Sequence, residues 1–140
     1  MKREEIFQYV KEQYGTEPEY LWKKDPDSAV LRHKNGKWYA IIMVVEKKIL
    51  GLEEDGNIDI LDVKCDPDLV GMIIQTYGFL PGYHMNKQHW ITCLLYTSFL
   101  IMLLALKARF LMKNRTSINP DLNWLFGFHI LFYSKIPGLC

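Results

Sequence analysis

The spacing of apolar residues at the start of the chain predicts an amphipathic helix. Ile6, Phe7, Val10 and Tyr14 recur at helical intervals within KREEIFQYVKEQYG and would form one stripe. The two glutamates in the first turn suit the positive end of the helix dipole, and Gly15 is a typical helix terminator. The first element is therefore a helix with one face available for packing.

A β-hairpin is the clearest local signal in the next segment, SAVLRHKNGKWYAIIMVV. Its two apolar runs flank Asn35-Gly36, a dipeptide favoured in two-residue type I′ turns because both central positions need φ > 0. Such a turn would pair Leu31 with Ala40 and Arg32 with Tyr39. One face would carry Ala29, Leu31, Trp38, Ala40 and Ile42, with His33 near the tip. The other face would carry Arg32, Lys34, Lys37 and Tyr39.

The same kind of pattern predicts further strands before and after the hairpin. EYLWKK, ahead of it, is a short strand candidate. NIDILDVKC alternates between apolar and polar residues, which predicts a strand with Asp59, Asp62 and Lys64 on a solvated face and an irregularity near Leu61. FLPGYHM and HWITCLL predict two more strands joined around Asn86-Lys87.

A second helix is predicted to begin at Asp66-Pro67. Aspartate is a favoured N-cap, and proline at the first helical position gives up an N–H that has no partner there. The helix would run through DLVGMIIQTYG and end at Gly78. Its apolar face would consist of Leu69, Val70, Ile73 and Tyr77.

The order of these elements predicts the fold class. A helix, three strands, a fourth strand, a helix and two strands indicate an α+β fold of two layers, with an antiparallel sheet and helices on one face. We expect this domain to occupy residues 1–95 and a further helix to follow Leu95.

Composition and charge divide the chain of 140 residues near the same point. Its 49% hydrophobic content is enough for a core and excludes a disordered chain. Residues 1–88 hold twelve Lys or Arg against fifteen Asp or Glu, whereas residues 89–140 hold five against one. The three cysteines form no CxxC pair, which favours reduced thiols and a cytoplasmic location.

Four stretches of the sequence resemble the MmcQ/YjbR-like family, over residues 1 to about 94. They are REEIFQYVKEQYGTEPEYLW, AVLRHKNGKWYAII, DILDVKCDPDL and PGYHMNKQHWIT. The last is the most specific, since its Gly82, His84, Asn86, His89 and Trp90 match the family's pattern. The resemblance implies a small cytoplasmic α+β protein with a double-wing arrangement that binds DNA, and it brings no catalytic residues.

Residues 96–140 match none of that pattern, and three interpretations compete for them. A membrane anchor is disfavoured, because the uncharged run shrinks to residues 96–106 if HWITCLL is a strand. A divergent helix over residues 99–112, followed by another over 119–133, would be apolar on every side. We favour the third interpretation, a hydrophobic tail that is non-native or chimeric and joined near Leu95.

The basic hairpin tip is the first candidate site. Arg32, His33, Lys34 and Lys37 could neutralise phosphates, and the ring of Trp38 or Tyr39 could stack or pack nearby. A solvated tip is the simpler alternative, since lysine is common there and discourages edge-to-edge pairing. The net acidic character of residues 1–88 also favours that alternative.

A polar and aromatic cluster at a strand connection is the second candidate. It consists of His84, Asn86, Lys87, His89 and Trp90. It could form a groove for a ligand or partner, although Trp90 suits a core position and His84 and Asn86 suit backbone hydrogen bonding in the turn. A metal site is not expected, because His84 and His89 would need a third ligand.

The sequence therefore predicts a non-enzymatic binding protein without a cofactor. No nucleophile with a base, phosphate loop or paired carboxylates is visible in it. We expect DNA as the partner of the hairpin tip. The alternative is a protein- or ligand-binding module that uses the sheet and the His84–Trp90 region. No small-molecule substrate is evident, and a membrane partner is not expected.

Overall fold

The computed structural model of the protein describes residues 2–96. The predictions for residues 97–140, including the further helices, the membrane anchor and the chimeric tail, lie outside the described residues. Within residues 2–96, no helix combines the length and apolarity needed to cross a bilayer.

The first predicted helix is confirmed as α1, Arg3–Tyr14. Ile6 and Val10 on its apolar stripe are fully buried. Gly15 ends the helix in the left-handed conformation, with φ 64°, and its N–H donates to the carbonyl of Lys11 at 3.0 Å. Glycine suits this left-handed position because it has no Cβ to clash with the backbone.

Five antiparallel strands form one sheet, in the order β1-β2-β3-β5-β4. They are β1 Ala29–Arg32, β2 Trp38–Glu46, β3 Asn57–Lys64, β4 Phe79–Pro81 and β5 Trp90–Leu94. A 3₁₀ turn, Lys47–Leu50, follows β2. EYLWKK does not form the predicted strand, since its contribution is a single bridge between Glu19 and Val30. The predicted irregularity near Leu61 is also wrong, because β3 pairs in continuous register with both neighbours.

The second helix, α2, spans Pro67–Ile73 and begins as predicted. The Asp66 side chain accepts a hydrogen bond from the N–H of Asp68 at 3.0 Å. The helix ends before the predicted terminator, Gly78, because the backbone forms tighter turns after Ile73. The N–H of Thr76 donates to the carbonyl of Ile73 at 2.9 Å, an i→i+3 bond that ends the α-helical pattern. Tyr77 is consequently exposed rather than part of the apolar face.

Both helices pack on the same face of the sheet, which confirms the two-layer α+β fold. Ile6 and Val10 of α1 and Val70 of α2 join one core cluster with the strands. Its strand members include Leu31, Ala40, Ile42, Leu61, Val63, Phe79, Ile91 and Cys93. The opposite face has a smaller apolar cluster centred on Val45, Ile60 and Leu94. The sheet is therefore apolar on both faces.

Candidate nucleic-acid interface

The hairpin tip is built on a three-residue loop, so the predicted two-residue turn is wrong. The N–H of Gly36 donates to the carbonyl of His33 at 2.8 Å, and the N–H of His33 donates to the carbonyl of Lys37 at 2.9 Å. Gly36 has φ 79°, whereas Asn35 is not in the positive-φ region that a type I′ turn requires. The Asn35 side chain instead accepts a hydrogen bond from the N–H of Lys37 at 3.1 Å.

The longer loop changes the register at the tip but not at the base. Leu31 pairs with Ala40 as predicted, whereas Arg32 lies opposite Trp38 rather than Tyr39. Tyr39 is the extra residue of a β-bulge, and a bulge turns the side chains beyond it to the opposite face. The predicted faces of Trp38 and Tyr39 are therefore wrong.

Tyr39 lies in the helix-covered core with its side chain fully buried. Burial raises the pKa of Tyr39 to about 12, and a hydrogen bond with Thr16 partly opposes that rise. The half-buried ring of His33 packs against Tyr39, with 4.7 Å between ring centroids. Tyr39 thus supports the tip from beneath and has no exposed surface with which to contact a ligand.

Arg32 is held in place by three contacts. Its Nε donates to Glu19 Oε2 at 2.9 Å, and its Nη1 donates to the carbonyl of Gly36 at 3.0 Å. The guanidinium carbon lies 5.5 Å from the centre of the Trp38 ring, in the range of a cation–π contact. Arg32 therefore connects the strand, the turn and Trp38, and its charge is partly compensated by Glu19.

Lys34 and Lys37 are the exposed charges of the tip. Within residues 2–96, no carboxylate lies in salt-bridge distance of either ammonium group. At the other end of β2, Lys47 is paired with Glu54, and Lys48 is paired with Asp55 at 2.5 Å. Among the carboxylates that the structure describes, therefore, partners exist for Lys47 and Lys48 but not for the two lysines of the tip.

Trp38 lies on the sheet face opposite the helices, beside the tip, and a second aromatic ring packs against it. Trp22 meets Trp38 edge to face, with ring centroids 5.9 Å apart. Tyr20 and Trp22 are 54% and 39% exposed. The contact between Trp22 and Trp38 was not predicted, because the sequence pattern favours a strand for EYLWKK and places Trp38 on the other face. The available signal was an aromatic pair followed by Lys23 and Lys24.

The second predicted cluster lies on the loop of residues 82–89 and at the start of β5. Four of its members are exposed: His84, Asn86, Lys87 and His89. Trp90 is buried, in agreement with the core position predicted for it. Asn86 satisfies backbone groups as expected, since its side chain accepts from the N–H of Gln88 at 2.9 Å. His84 has φ 54°, and its ring contacts that of Tyr83. Within residues 2–96, no three potential metal ligands come together.

A buried carboxylate beneath this loop was not predicted. Asp62, expected on a solvated face of β3, is fully buried and accepts a hydrogen bond from the Thr92 hydroxyl at 2.5 Å. Burial raises the pKa of Asp62 to about 6, partly opposed by Thr92, the N–H of Tyr83 and the Lys87 charge. The alternation of polar and apolar residues could not reveal the burial of Asp62, because a face that alternation marks as polar can meet either solvent or a second packed layer.

Similarity to known proteins extends over most of the chain. A family model described as YjbR matches residues 11–105, about ten residues past the boundary predicted near Leu95. The uncharacterized protein YyaQ of Bacillus subtilis (strain 168) is 50% identical over 96 residues, which cover 68% of this chain and 81% of YyaQ.

Solved structures show the same architecture. A crystal structure of a protein from Pseudomonas syringae superimposes with a TM-score of 0.74 at 38% identity and covers 77% of this chain and 95% of that one. The Deinococcus radiodurans protein DR2400, with a domain described as DUF419, superimposes with a TM-score of 0.60. At 18% identity, and with 90% of this chain and 88% of that one covered, it supports the fold alone.

Proposed function

This protein belongs to the YjbR family, and we propose that it binds DNA through the tip of the β1–β2 hairpin. The observation that supports the proposal is a pair of exposed lysines on a well-defined turn, with no carboxylate of residues 2–96 in salt-bridge distance. Lys34 and Lys37 lie three residues apart across the loop, and hydrogen bonds to His33 and Asn35 fix the backbone between them. An anion would therefore meet both ammonium groups without displacing any carboxylate of residues 2–96.

The distribution of charge supports the same interface. Residues 19–38 contain five Lys or Arg against three Asp or Glu, whereas the rest of residues 2–96 contains seven against twelve. The basic region is therefore local, and an acidic domain surrounds it. A polyanion would be attracted to the hairpin and repelled elsewhere, which would favour one docking orientation.

The chemistry of the tip supports binding rather than catalysis. Two ammonium groups neutralise phosphates, but they do not provide a nucleophile paired with a base. We infer a non-enzymatic role in the cytoplasm, where the buried thiols of Cys65 and Cys93 would stay reduced. The hairpin would act as one wing of a double-wing arrangement.

The test is duplex binding by the full chain and by two matched variants. Lys34→Gln/Lys37→Gln removes two charges at the tip, and Lys47→Gln/Lys48→Gln removes two charges at the opposite end of β2. The nine residues of β2 separate the two sites by about 30 Å. The five basic residues of residues 89–140 are present in both variants, so their contribution cancels.

We expect fluorescence anisotropy of a labelled duplex at low salt to show weaker binding for the tip variant and near wild-type binding for the control. Equal weakening of both variants would mean that only net charge matters, and the hairpin proposal would fail. Absence of binding by the wild-type chain to both this duplex and a single strand of the same length would also reject it. Arg32 is left intact, because its bonds to Glu19 and Gly36 support the turn.

The loop of residues 82–89 supports a second candidate, a protein- or ligand-binding module. Its exposed His84, Lys87 and His89 are presented on a backbone that includes the left-handed His84, a conformation uncommon outside glycine. Under the hairpin proposal, His84→Gly/Lys87→Gln leaves duplex binding unchanged. A strong loss of duplex binding in this variant would move the interface to the loop.

A further inference from the structure

We propose that the nucleic acid held at this interface is single-stranded, and that its bases stack on the aromatic side chains beside the hairpin. This inference rests on the proposed function and concerns the class of nucleic acid. It is supported by a different set of residues, Tyr20, Trp22 and Trp38, none of which is needed for contact between lysine and phosphate.

Exposed aromatic and apolar surface lies in the segment that follows the bridge between Glu19 and β1. Tyr20 and Leu21 are 54% and 44% exposed, and Trp22 retains 39% exposure even though its ring contacts Trp38. Tryptophan is usually highly buried in folded domains, so an exposed tryptophan within an apolar stretch indicates a contact surface. The β-bulge at Tyr39 puts Trp38 on this side of the sheet.

The segment that carries Tyr20 and Trp22 is hydrogen-bonded to the edge of the sheet. Glu19 exchanges two backbone hydrogen bonds with Val30 of β1, at 3.0 and 2.9 Å. Past Trp22, the N–H of Asp25 donates to the carbonyl of Trp22 at 3.3 Å and closes a turn over Lys23 and Lys24. The backbone of this segment and the Trp22 ring, which packs on Trp38, are therefore positioned relative to the hairpin before any ligand arrives, which lowers the entropic cost of binding.

This combination favours a single strand over a duplex. Stacking on aromatic side chains requires unpaired bases, whose faces are covered in a duplex by their neighbours. A strand running along the β1 edge could stack its bases on Trp22 and Tyr20. Its phosphates would then meet Lys23, Lys24, Lys34 and Lys37. A duplex could contact the lysines through its phosphates, but its bases could not stack on the aromatic rings.

The experiment compares a labelled thymidine oligonucleotide of about 16 nucleotides with a duplex of the same length, both titrated with the full chain. We expect tighter binding to the single strand. Trp22→Ala and Tyr20→Ala should each weaken single-strand binding roughly five- to hundredfold and leave duplex binding unchanged. Trp22→Phe keeps an aromatic face and should restore most of the affinity.

Tyr77→Ala is the matched control, because Tyr77 is 71% exposed and lies before β4 at the opposite edge of the sheet. Four strand spacings, about 19 Å, separate the two edges. If Trp22→Ala does not fold, Tyr20→Ala decides the matter, since more than half of the Tyr20 side chain is already in solvent.

The outcomes separate this inference from the proposed function. A wild-type preference for the duplex, or single-strand binding that neither Trp22→Ala nor Tyr20→Ala weakens, overturns the inference and leaves DNA binding by the hairpin intact. Loss of binding to both probes in Lys34→Gln/Lys37→Gln, with selective loss of the single strand in Tyr20→Ala, supports both proposals. No binding to either probe rejects both.

Discussion

Asp62 and Thr92 lie directly opposite each other on β3 and β5, and the Thr92 hydroxyl donates to the Asp62 carboxylate at 2.5 Å. Both side chains are fully buried in the centre of the sheet. The Thr92 oxygen in turn accepts a hydrogen bond from the N–H of Tyr83 at 2.8 Å. This chain of bonds links the middle of the sheet to the loop of residues 82–89, and it makes stability depend on the ionisation of Asp62.

We expect the protein to lose stability as pH rises through about 6. Burial raises the folded-state pKa of Asp62 from 3.8 to about 6, so the folded state holds the proton more tightly than the unfolded state. The stabilisation that comes from this tighter proton binding by Asp62 is fully present below pH 3.8 and is lost as pH rises through about 6. It amounts to at most about 3 kcal/mol.

The measurement is urea unfolding of the wild type and Asp62→Asn at several pH values from about 4 to 8. Asparagine cannot ionise, so the free energy of unfolding of the variant relative to wild type should increase as pH rises. Parallel pH profiles for the two proteins would show that Asp62 does not titrate in this window.

Thr92→Val should destabilise the protein by roughly 1–3 kcal/mol near neutral pH. The substitution keeps the shape of the side chain but removes the donor to Asp62 and the acceptor for Tyr83. The loss should be smaller at low pH, where a protonated Asp62 no longer needs the donor as strongly. Thr92→Ser retains the hydroxyl and serves as the control, and equal losses in both variants would indicate a packing effect instead.

Gly82→Ala should cost about 1–3 kcal/mol of stability. A Cβ on Gly82 would lie 2.8 Å from the Cβ of Trp90 and 2.9 Å from its carbonyl oxygen, so β4 and β5 would have to separate. Gly71 in α2 provides the matched control, because a Cβ there meets nothing within 4 Å. Gly71→Ala should stabilise the helix by up to about 1 kcal/mol. Thermal unfolding of both variants measures the contrast, which similar melting temperatures would contradict.

Duplex binding should depend on salt with a slope that reports the hairpin lysines. Each phosphate neutralised contributes about 0.9 to the slope of log affinity against log salt. Lys34→Gln/Lys37→Gln should therefore reduce the slope by about 1.8, and Lys47→Gln/Lys48→Gln should leave it near the wild-type value. Anisotropy titrations at several salt concentrations give the slopes, and an unchanged slope for the tip variant would place the phosphate contacts elsewhere.

Several features could be predicted from sequence because neighbouring residues decide them. The stripe of Ile6 and Val10 and the terminator Gly15 define α1 within one short segment. Asp66 and Pro67 start α2 through bonds that reach only two residues away. The exposure of the tip lysines also follows locally, because any short turn between two strands projects into solvent.

The register at the tip, the Trp22–Trp38 contact and the burial of Asp62 were settled by tertiary structure. Turn type depends on how the strands pack as well as on Asn35-Gly36, and placing Tyr39 in the helix-covered core favours a bulge over a regular two-residue turn. Asp62 is buried because β3 is the central strand and both of its faces are covered. Alternation along a strand marks which residues share a face, but only the neighbouring strands and loops determine whether that face meets water.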